Sequence, residues 1–205
     1  MRAWLTVVAI ALFGVSACSE EPPAPDHTIV QPGLPGEPNR TLSAEEAESA
    51  LPDTEPNDED VSYVRNMIIH HQQAVEMSAL APERAADERV RGLASRIHDV
   101  QGPEIGMMNR WLTGHDLPAV NPTEAHAHAD MPGMATAEEL AALTAARGPE
   151  FDRLFLELMI RHHEGAIEMA RAVQVSGVDV RVQEMADDVI AEQADEIRRM
   201  REMQG

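Results

Sequence analysis

The sequence predicts an all-α protein whose main domain is a four-helix bundle made of two repeated helical hairpins with a long crossover. Three observations carry this prediction. Of 205 residues only six are aromatic, whereas the good helix formers Ala, Glu, Met and Arg are abundant. Beyond residue 57, apolar side chains recur at helical spacing rather than in alternation. The second half also repeats the first. Met67–Met77 (MIIHHQQAVEM) matches Met159–Met169 (MIRHHEGAIEM) at seven of eleven positions, with an offset of 92 residues. The offset persists without gaps: Asp60 falls on Asp152, Tyr63 on Phe155, Ala94 on Ala186, Gln101 on Gln193, Glu104 on Glu196 and Met108 on Met200.

The N-terminus reads as a targeting segment. Arg2 supplies the positive end, and the apolar run Leu5–Val15 is too short for a comfortable membrane span. Val15-Ser16-Ala17-Cys18 then resembles a bacterial lipobox. Residues 1–17 are therefore expected to be a lipoprotein signal peptide, with Cys18 lipidated as the mature N-terminus and membrane anchor. Ser19 after it favours the outer membrane, with the protein facing the periplasm. Cys18 is the only cysteine, which excludes a disulfide framework and zinc sites built on paired thiolates. Residues 18–57 are expected to be a flexible, Pro-rich acidic tether, since eight prolines and few large apolar residues cannot offset the entropy of ordering. Leu42–Leu51 is expected to form at most a transient helical turn, and His27 to be solvated.

Residues 58–205 form the bundle domain, with repeats 58–113 and 150–205 and a crossover over 114–149. The first helix is expected over Asp58–Leu80, broken at Ala81-Pro82, where proline suits a new helix start. The second runs to about Leu112, with Gly114 as its stop. A helical lead-in spans Thr136–Ala146, and the third helix covers Glu150–Val175. Gly177 ends it, Asp179 is the expected N-cap, and the fourth helix runs to about Met203. Short links make antiparallel pairs, and the long crossover gives ferritin-like connectivity.

The repeated positions lie on the apolar side of their helices. Tyr63, Met67, His70, Ala74 and Met77 follow one stripe, repeated as Phe155, Met159, His162, Ala166 and Met169. His71 and His163 lie on the neighbouring stripe. On the second and fourth helices, Gln101 and Glu104, and Gln193 and Glu196, interrupt stripes ending at Met108 and Met200. Buried polar groups need partners, and the facing histidines are the ones available. Imidazole is the commonest metal ligand and thioether is a soft ligand that selects Cu(I). The expected ligands are thus Met67, His70, His71, Met77, Met159, His162, His163 and Met169. Gln101, Glu104, Met108, Gln193, Glu196 and Met200 are expected to be secondary candidates. Glu76 and Glu168 are expected on a solvated face or in an interhelical arginine pair, and Asp60 and Asp152 open their helices, where a carboxylate offsets the dipole or caps the backbone. A second Met/His run, His126, His128, Met131 and Met134, lies in the Pro/Gly-rich crossover. With no core to fill there, it suits capture or transfer of soft ions.

Other chemistries are disfavoured. A formal charge of −20 with no lysine argues against a nucleic-acid partner. No Glu-x-x-His motif of a di-iron bundle precedes the histidines, and His163-Glu164 does not extend to H-E-x-x-H. Phosphate-binding and dinucleotide fingerprints and a nucleophile elbow are missing as well. The expected function is an envelope lipoprotein, not an enzyme, that binds Cu(I), or related Ag(I) or Cu(II), for metal buffering or tolerance. Two alternatives remain: a metal-free envelope interaction module whose His and Glu only specify the core, and a ferritin-like oxidoreductase. No particular protein partner is indicated.

The motif M-I-x-H-H-x-x-A-[VI]-E-M, followed by Q-x-x-E-I-x-x-M, resembles the bacterial family called domain of unknown function 305 over about residues 57–203. The resemblance implies a ferritin-like bundle in exported proteins, some of which bind copper through Met and His. It puts that role on Met67, His70, His71, Met77, Met159, His162, His163 and Met169. Gly102-Pro103 and Gly165 depart from the family pattern. The proline is expected to kink its helix, and the glycine to cost about 1 kcal/mol of helix propensity.

Overall fold

The computed structural model describes residues 29–31, 36, 38–43, 46, 55–121 and 131–204. The chain divides into two compact units, residues 1–52 and 53–205. The expected signal peptide, Cys18 and His27 lie outside the described residues, as do His126 and His128.

Two short strands are described within the stretch expected to be a flexible tether. Strands β1 (Ile29–Gln31) and β2 (Arg40–Leu42) pair antiparallel, with Ile29 opposite Leu42 and Val30 opposite Thr41. Ile, Val and Thr are β-branched and favour the pleated conformation. The link between them carries Gly36 at φ +96, a backbone state that glycine adopts without steric cost. Ser43 and Glu46 exchange backbone-to-side-chain hydrogen bonds, the pattern of a helical first turn.

The second unit is helical: α1 (Asp58–Ala79), α2 (Ala81–Arg84), α3 (Glu88–Gly114), α4 (Ala137–Ala145), α5 (Pro149–Ser176) and α6 (Val180–Gln204). Asn57 opens α1 with a capping box to Asp60, and Asp179 caps α6 by accepting from Val182 N at 2.9 Å. The second long helix starts six residues later than Pro82 suggests. Asp87 caps it, and the intervening Ala85–Ala86 turn is pinned from outside, because the Asp152 carboxylate accepts from the Ala86 and Asp87 amides. Pro103 lies inside α3, and the helix continues through it. α1 packs against α3, α5 against α6, and α1 against α5.

Asp60 and Asp152 do more than cap their own helices. Asp60 reaches from the first repeat to accept from the Val178 and Asp179 amides in the turn between α5 and α6. Asp152 does the equivalent for the turn after α2. Each repeat thus holds the hairpin turn of the other. Gly177 is required at the first of these contacts, since a Cβ there would collide with Asp60 Oδ1. α4 is tied to α5 by Arg161, whose guanidinium donates to both Glu139 oxygens at 2.7 and 2.5 Å.

The core is split in two. One apolar cluster contains Ala74, Met77, Leu93, Ile97, Phe155, Met159, Ile197 and Met200. The other contains Val64, Met67, Ile68, Ile105, Met108, Ala166, Val182 and Val189, with Met169 packed against it. Along each of the four long helices, the polar positions fall between residues of the two clusters. His70 and His71, Gln101 and Glu104, His162 and His163, and Gln193 and Glu196 therefore make a polar layer midway along the unit.

Candidate metal centre

The histidines and glutamines of the polar layer are buried. His70, His71, His162 and His163 are each at most 1% exposed, and Gln101 and Gln193 are 3% exposed. The repeat sorts the histidines into two kinds. His71 Nε2 lies 3.0 Å from Glu104 Oε2, and His163 Nε2 lies 2.7 Å from Glu196 Oε2. The second pair is a hydrogen bond, whereas the first is close but outside hydrogen-bond geometry, so His71 keeps both ring nitrogens unsatisfied. The expected histidine–glutamate partnership is a hydrogen bond for His163 and Glu196 and a close contact only for His71 and Glu104. The expected glutamine partnership is not formed, because Gln101 Oε1 and Gln193 Oε1 have no partner.

His70 and His162 have no carboxylate. Their rings face each other at 3.7 Å between centroids, tilted by 38°. His70 Nε2 donates to the Pro132 carbonyl at 3.1 Å. His70 Nδ1 and both nitrogens of His162 are buried without a partner. Burial and then the neighbouring His71 push the His70 pKa down to about 3, with only the Pro132 carbonyl acting strongly against them. Burial and the other three histidines likewise push His162 well below the usual imidazole range. Both rings are neutral at pH 7, the state in which a lone pair is available. Nearby, burial and Glu104 push the Tyr63 hydroxyl upward, and that hydroxyl has no partner either.

Methionines bracket the layer. Met67, Met77, Met159, Met108 and Met200 are buried, and Met169 is half-buried. The clusters mix the repeats: Met77 of the first joins Met159 and Met200 of the second, while Met169 of the second joins Met67 and Met108 of the first. Among the described residues, no group of three or more His, Cys, Asp or Glu side chains is arranged to hold a metal ion by itself. Glu76 and Glu168 are exposed, as their helical angle implies.

The crossover contributes more than a loop. Met131-Pro132-Gly133-Met134 is seated on α5 beside the histidine pair. A Cβ on Gly133 would fall 3.0 Å from His162 O, and one on Gly165 would fall 2.7 Å from Gly133 N and closer still to the Pro132 carbonyl. On the other side, Gln73 accepts from the Ala135 amide at 2.7 Å and donates to its carbonyl at 2.9 Å. Gln73 and Gly165 are equivalent positions of the repeat, one reaching for the crossover and the other making room for it. Gly165 thus has a packing reason that outweighs its helix propensity. Met134 also departs from expectation: it is buried against Ile69, filling a small apolar cluster that Met131 and Val120 border. That the run has no core to fill is therefore wrong for Met134.

Pro132, Gln73 and Glu192 were not singled out by residue pattern, and Gly165 was read only as a cost in helix propensity. Gln73 and Gly165 carried a signal, because they differ at equivalent positions of the repeat two residues after the histidines. Glu192 had none, since Val100 holds the equivalent place. Its carboxyl is pushed upward by burial and by Glu104, Asp188 and Glu196.

The pattern of one protein family, Domain of unknown function (DUF305), matches residues 60–204. A DUF305 protein from Streptomyces coelicolor described as secreted is 36% identical, with 71% of this chain and 91% of that chain covered at a TM-score of 0.63. A DUF305 fragment from Deinococcus radiodurans is 32% identical, covering 73% and 97% at a TM-score of 0.65. CopM in its Cu(I)-bound form is 29% identical, covering 70% and 94% at a TM-score of 0.58, and is also known in Cu(II)-bound, Ag-bound and apo forms. Among curated proteins no match is found.

Proposed function

Because the chain belongs to the DUF305 family, we propose that it is an exported protein that binds Cu(I), or Ag(I) in its place, in the histidine layer of a ferritin-like four-helix bundle. The observation that carries this reading is the His70–His162 pair, two neutral buried rings in contact with three ring nitrogens unpartnered. An unsatisfied buried polar atom costs about 1–3 kcal/mol. A cation that takes imidazole lone pairs removes part of that cost. Soft thioethers lie on either side, with Met67 and Met159 one turn before the ring pair. Together with neutral imidazole they are a donor set suited to Cu(I).

His70 and His162 are the leading ligands, with Met67, Met77, Met159 and Met169 supplying thioether. His163, hydrogen-bonded by Glu196, and His71, close to Glu104, come second. His126, His128, Met131 and Met134 supply the crossover's donors. CopM, a solved relative, is known with Cu(I), Cu(II) and Ag bound, which supports this choice of metals. The protein holds and releases the ion for buffering or tolerance and carries out no reaction on it.

The pattern of residues 1–18 and the Streptomyces relative described as secreted support export. Lipidated Cys18 would anchor the mature chain, residues 18–57 would be the tether, and residues 58–205 the bundle, facing the periplasm from the outer membrane. Among the described residues, no helix is long and apolar enough to cross a membrane.

The test is an anaerobic Cu(I) titration of the full chain against a chromophoric Cu(I) chelator. Wild type should compete for one equivalent. His70→Ala/His162→Ala should lose about a hundredfold in affinity, or about 3 kcal/mol, while keeping its far-UV circular dichroism. Undiminished affinity in a folded double variant overturns the reading.

A further inference from the structure

The crossover touches both helices of the ring pair at the level of the rings. From α1, Gln73 holds the Ala135 amide and carbonyl, Ile69 packs against Met134, and His70 Nε2 meets the Pro132 carbonyl at 3.1 Å. From α5, Gly165 leaves room for the Pro132–Gly133 peptide. Gly133 stands at φ +78, a state open to glycine without strain, and a Cβ there would strike the Arg161 and His162 carbonyls. The Pro132 carbonyl is thus held in place from both helices.

This contact decides which ring nitrogen of His70 carries the proton. A carbonyl oxygen only accepts, so Nε2 is the donor, and in a neutral imidazole the lone pair then sits on Nδ1. Turning the ring over would set Cε1 where Nε2 stands and lose the bond. Nδ1 itself is buried and has no partner. His162, whose ring centroid lies 3.7 Å away, has no partner on either nitrogen. The crossover is single, so the symmetry of the repeat is broken here. One ring is pinned, and the other is left with both nitrogens.

We propose that the Pro132 carbonyl is the positioning group of the metal site, fixing His70 as the Nε2–H tautomer so that it ligates through Nδ1, while the unpinned His162 ring adapts to the ion. The inference rests on the Cu(I) and Ag(I) reading above and deepens it. Metal-binding histidines almost always donate their second ring N–H to a carbonyl, carboxylate or water, which fixes the ring and raises the basicity of the ligating nitrogen. Losing such a partner costs about ten- to a hundredfold in affinity. Ligation through Nε2 would instead displace its proton and break the bond to Pro132. Seating of the crossover and ligation through Nε2 therefore exclude each other.

The probe is Ag(I), which is diamagnetic, added to the full chain labelled with ¹⁵N-histidine and read by long-range ¹H–¹⁵N correlation of the rings. The His70 signals are those lost in His70→Ala. Before the metal is added, His70 should show a protonated Nε2 and an unprotonated Nδ1. One equivalent of Ag(I) should shift Nδ1 and leave the Nε2 proton in place. Gln73→Leu removes both bonds to Ala135, and Gly165→Ala crowds the Pro132 carbonyl. Each should average the two tautomers and weaken Ag(I) binding about tenfold or more, with far-UV circular dichroism retained. A protonated Nδ1 in the metal-free chain overturns the proposal. So does a tautomer and an affinity unchanged in both variants. Ag(I) bound at Nε2 overturns this proposal alone, whereas Ag(I) that shifts neither nitrogen overturns the metal reading and this proposal with it.

Discussion

Replacing Gly165 by alanine should destabilise the protein, although it removes a glycine from mid-helix. In an open helical position Gly→Ala gains about 1 kcal/mol. Gly92 is such a position, with nothing within 4 Å of an added Cβ. At Gly165 the added Cβ would sit 2.7 Å from Gly133 N and closer still to the Pro132 carbonyl, all of it backbone. Helix and loop must separate by about 1 Å to restore ordinary contact, and overpacking of that kind costs about 1–3 kcal/mol. The shift also strains the His70–Pro132 hydrogen bond and the two Gln73–Ala135 bonds, each worth about 1 kcal/mol. Partial loss of the three, together with the overpacking and less the propensity gain, gives a net loss of about 2–3 kcal/mol. Urea unfolding followed by far-UV circular dichroism, with Gly92→Ala alongside, measures it directly. The two variants should move in opposite directions. A Gly165→Ala protein as stable as Gly92→Ala would refute the seating of the crossover on α5.

Acid should weaken the fold through the buried imidazoles. His70 and His162 stay neutral in the folded chain while the unfolded chain takes up protons below about pH 6.5. Their contribution is therefore intact above that pH and is lost as pH falls, by about 2 kcal/mol per ring at pH 5. Comparing urea midpoints at pH 7.5 and 5 for wild type and His70→Ala/His162→Ala should show a smaller drop in the variant. The two carboxylates that join the repeats should matter equally. Asp60→Ala strands the Val178 and Asp179 amides and should cost about 3 kcal/mol in the same assay. A cost under about 0.5 kcal/mol, the size of an ordinary surface change, would contradict the cross-repeat tie. The two glutamates should differ. Glu196→Ala removes a true hydrogen bond to His163, and Glu104→Ala only a misaligned contact with His71. The former should lose about 1–2 kcal/mol more.

Much of this was legible in the sequence because the repeat is ungapped. An identical Met-x-x-His-His spacing on two helices fixes which faces are buried, and the Gln and Glu one turn apart on the other two must then meet those faces. That reasoning located the polar layer and put the histidines opposite the Gln and Glu of the facing helices. It could not divide the histidines, since which ring of an adjacent pair meets a carboxylate depends on helix rotation by fractions of a turn. The start of the second long helix was also hidden. Pro82 marks a competent helix start, but Asp152 from the other repeat pins the turn at Ala85–Ala86 and delays the long helix to Glu88, with Asp87 as its cap. Gly165 looked like a local cost because propensity is a single-helix quantity, while the backbone of Pro132 arrives from 33 residues away. The pairing of Ile29–Gln31 with Arg40–Leu42 was masked by proline content, which measures what cannot order rather than the short β-branched segments that can.

The most direct test of the metal reading is copper K-edge X-ray absorption on the full chain carrying one equivalent of Cu(I), prepared anaerobically. The His70–His162 site requires a mixed shell of imidazole nitrogen and thioether sulfur. Multiple scattering from the imidazole rings should be present in wild type and lost in His70→Ala/His162→Ala. A shell of sulfur or oxygen alone in the wild-type protein, with no imidazole scattering, would contradict it.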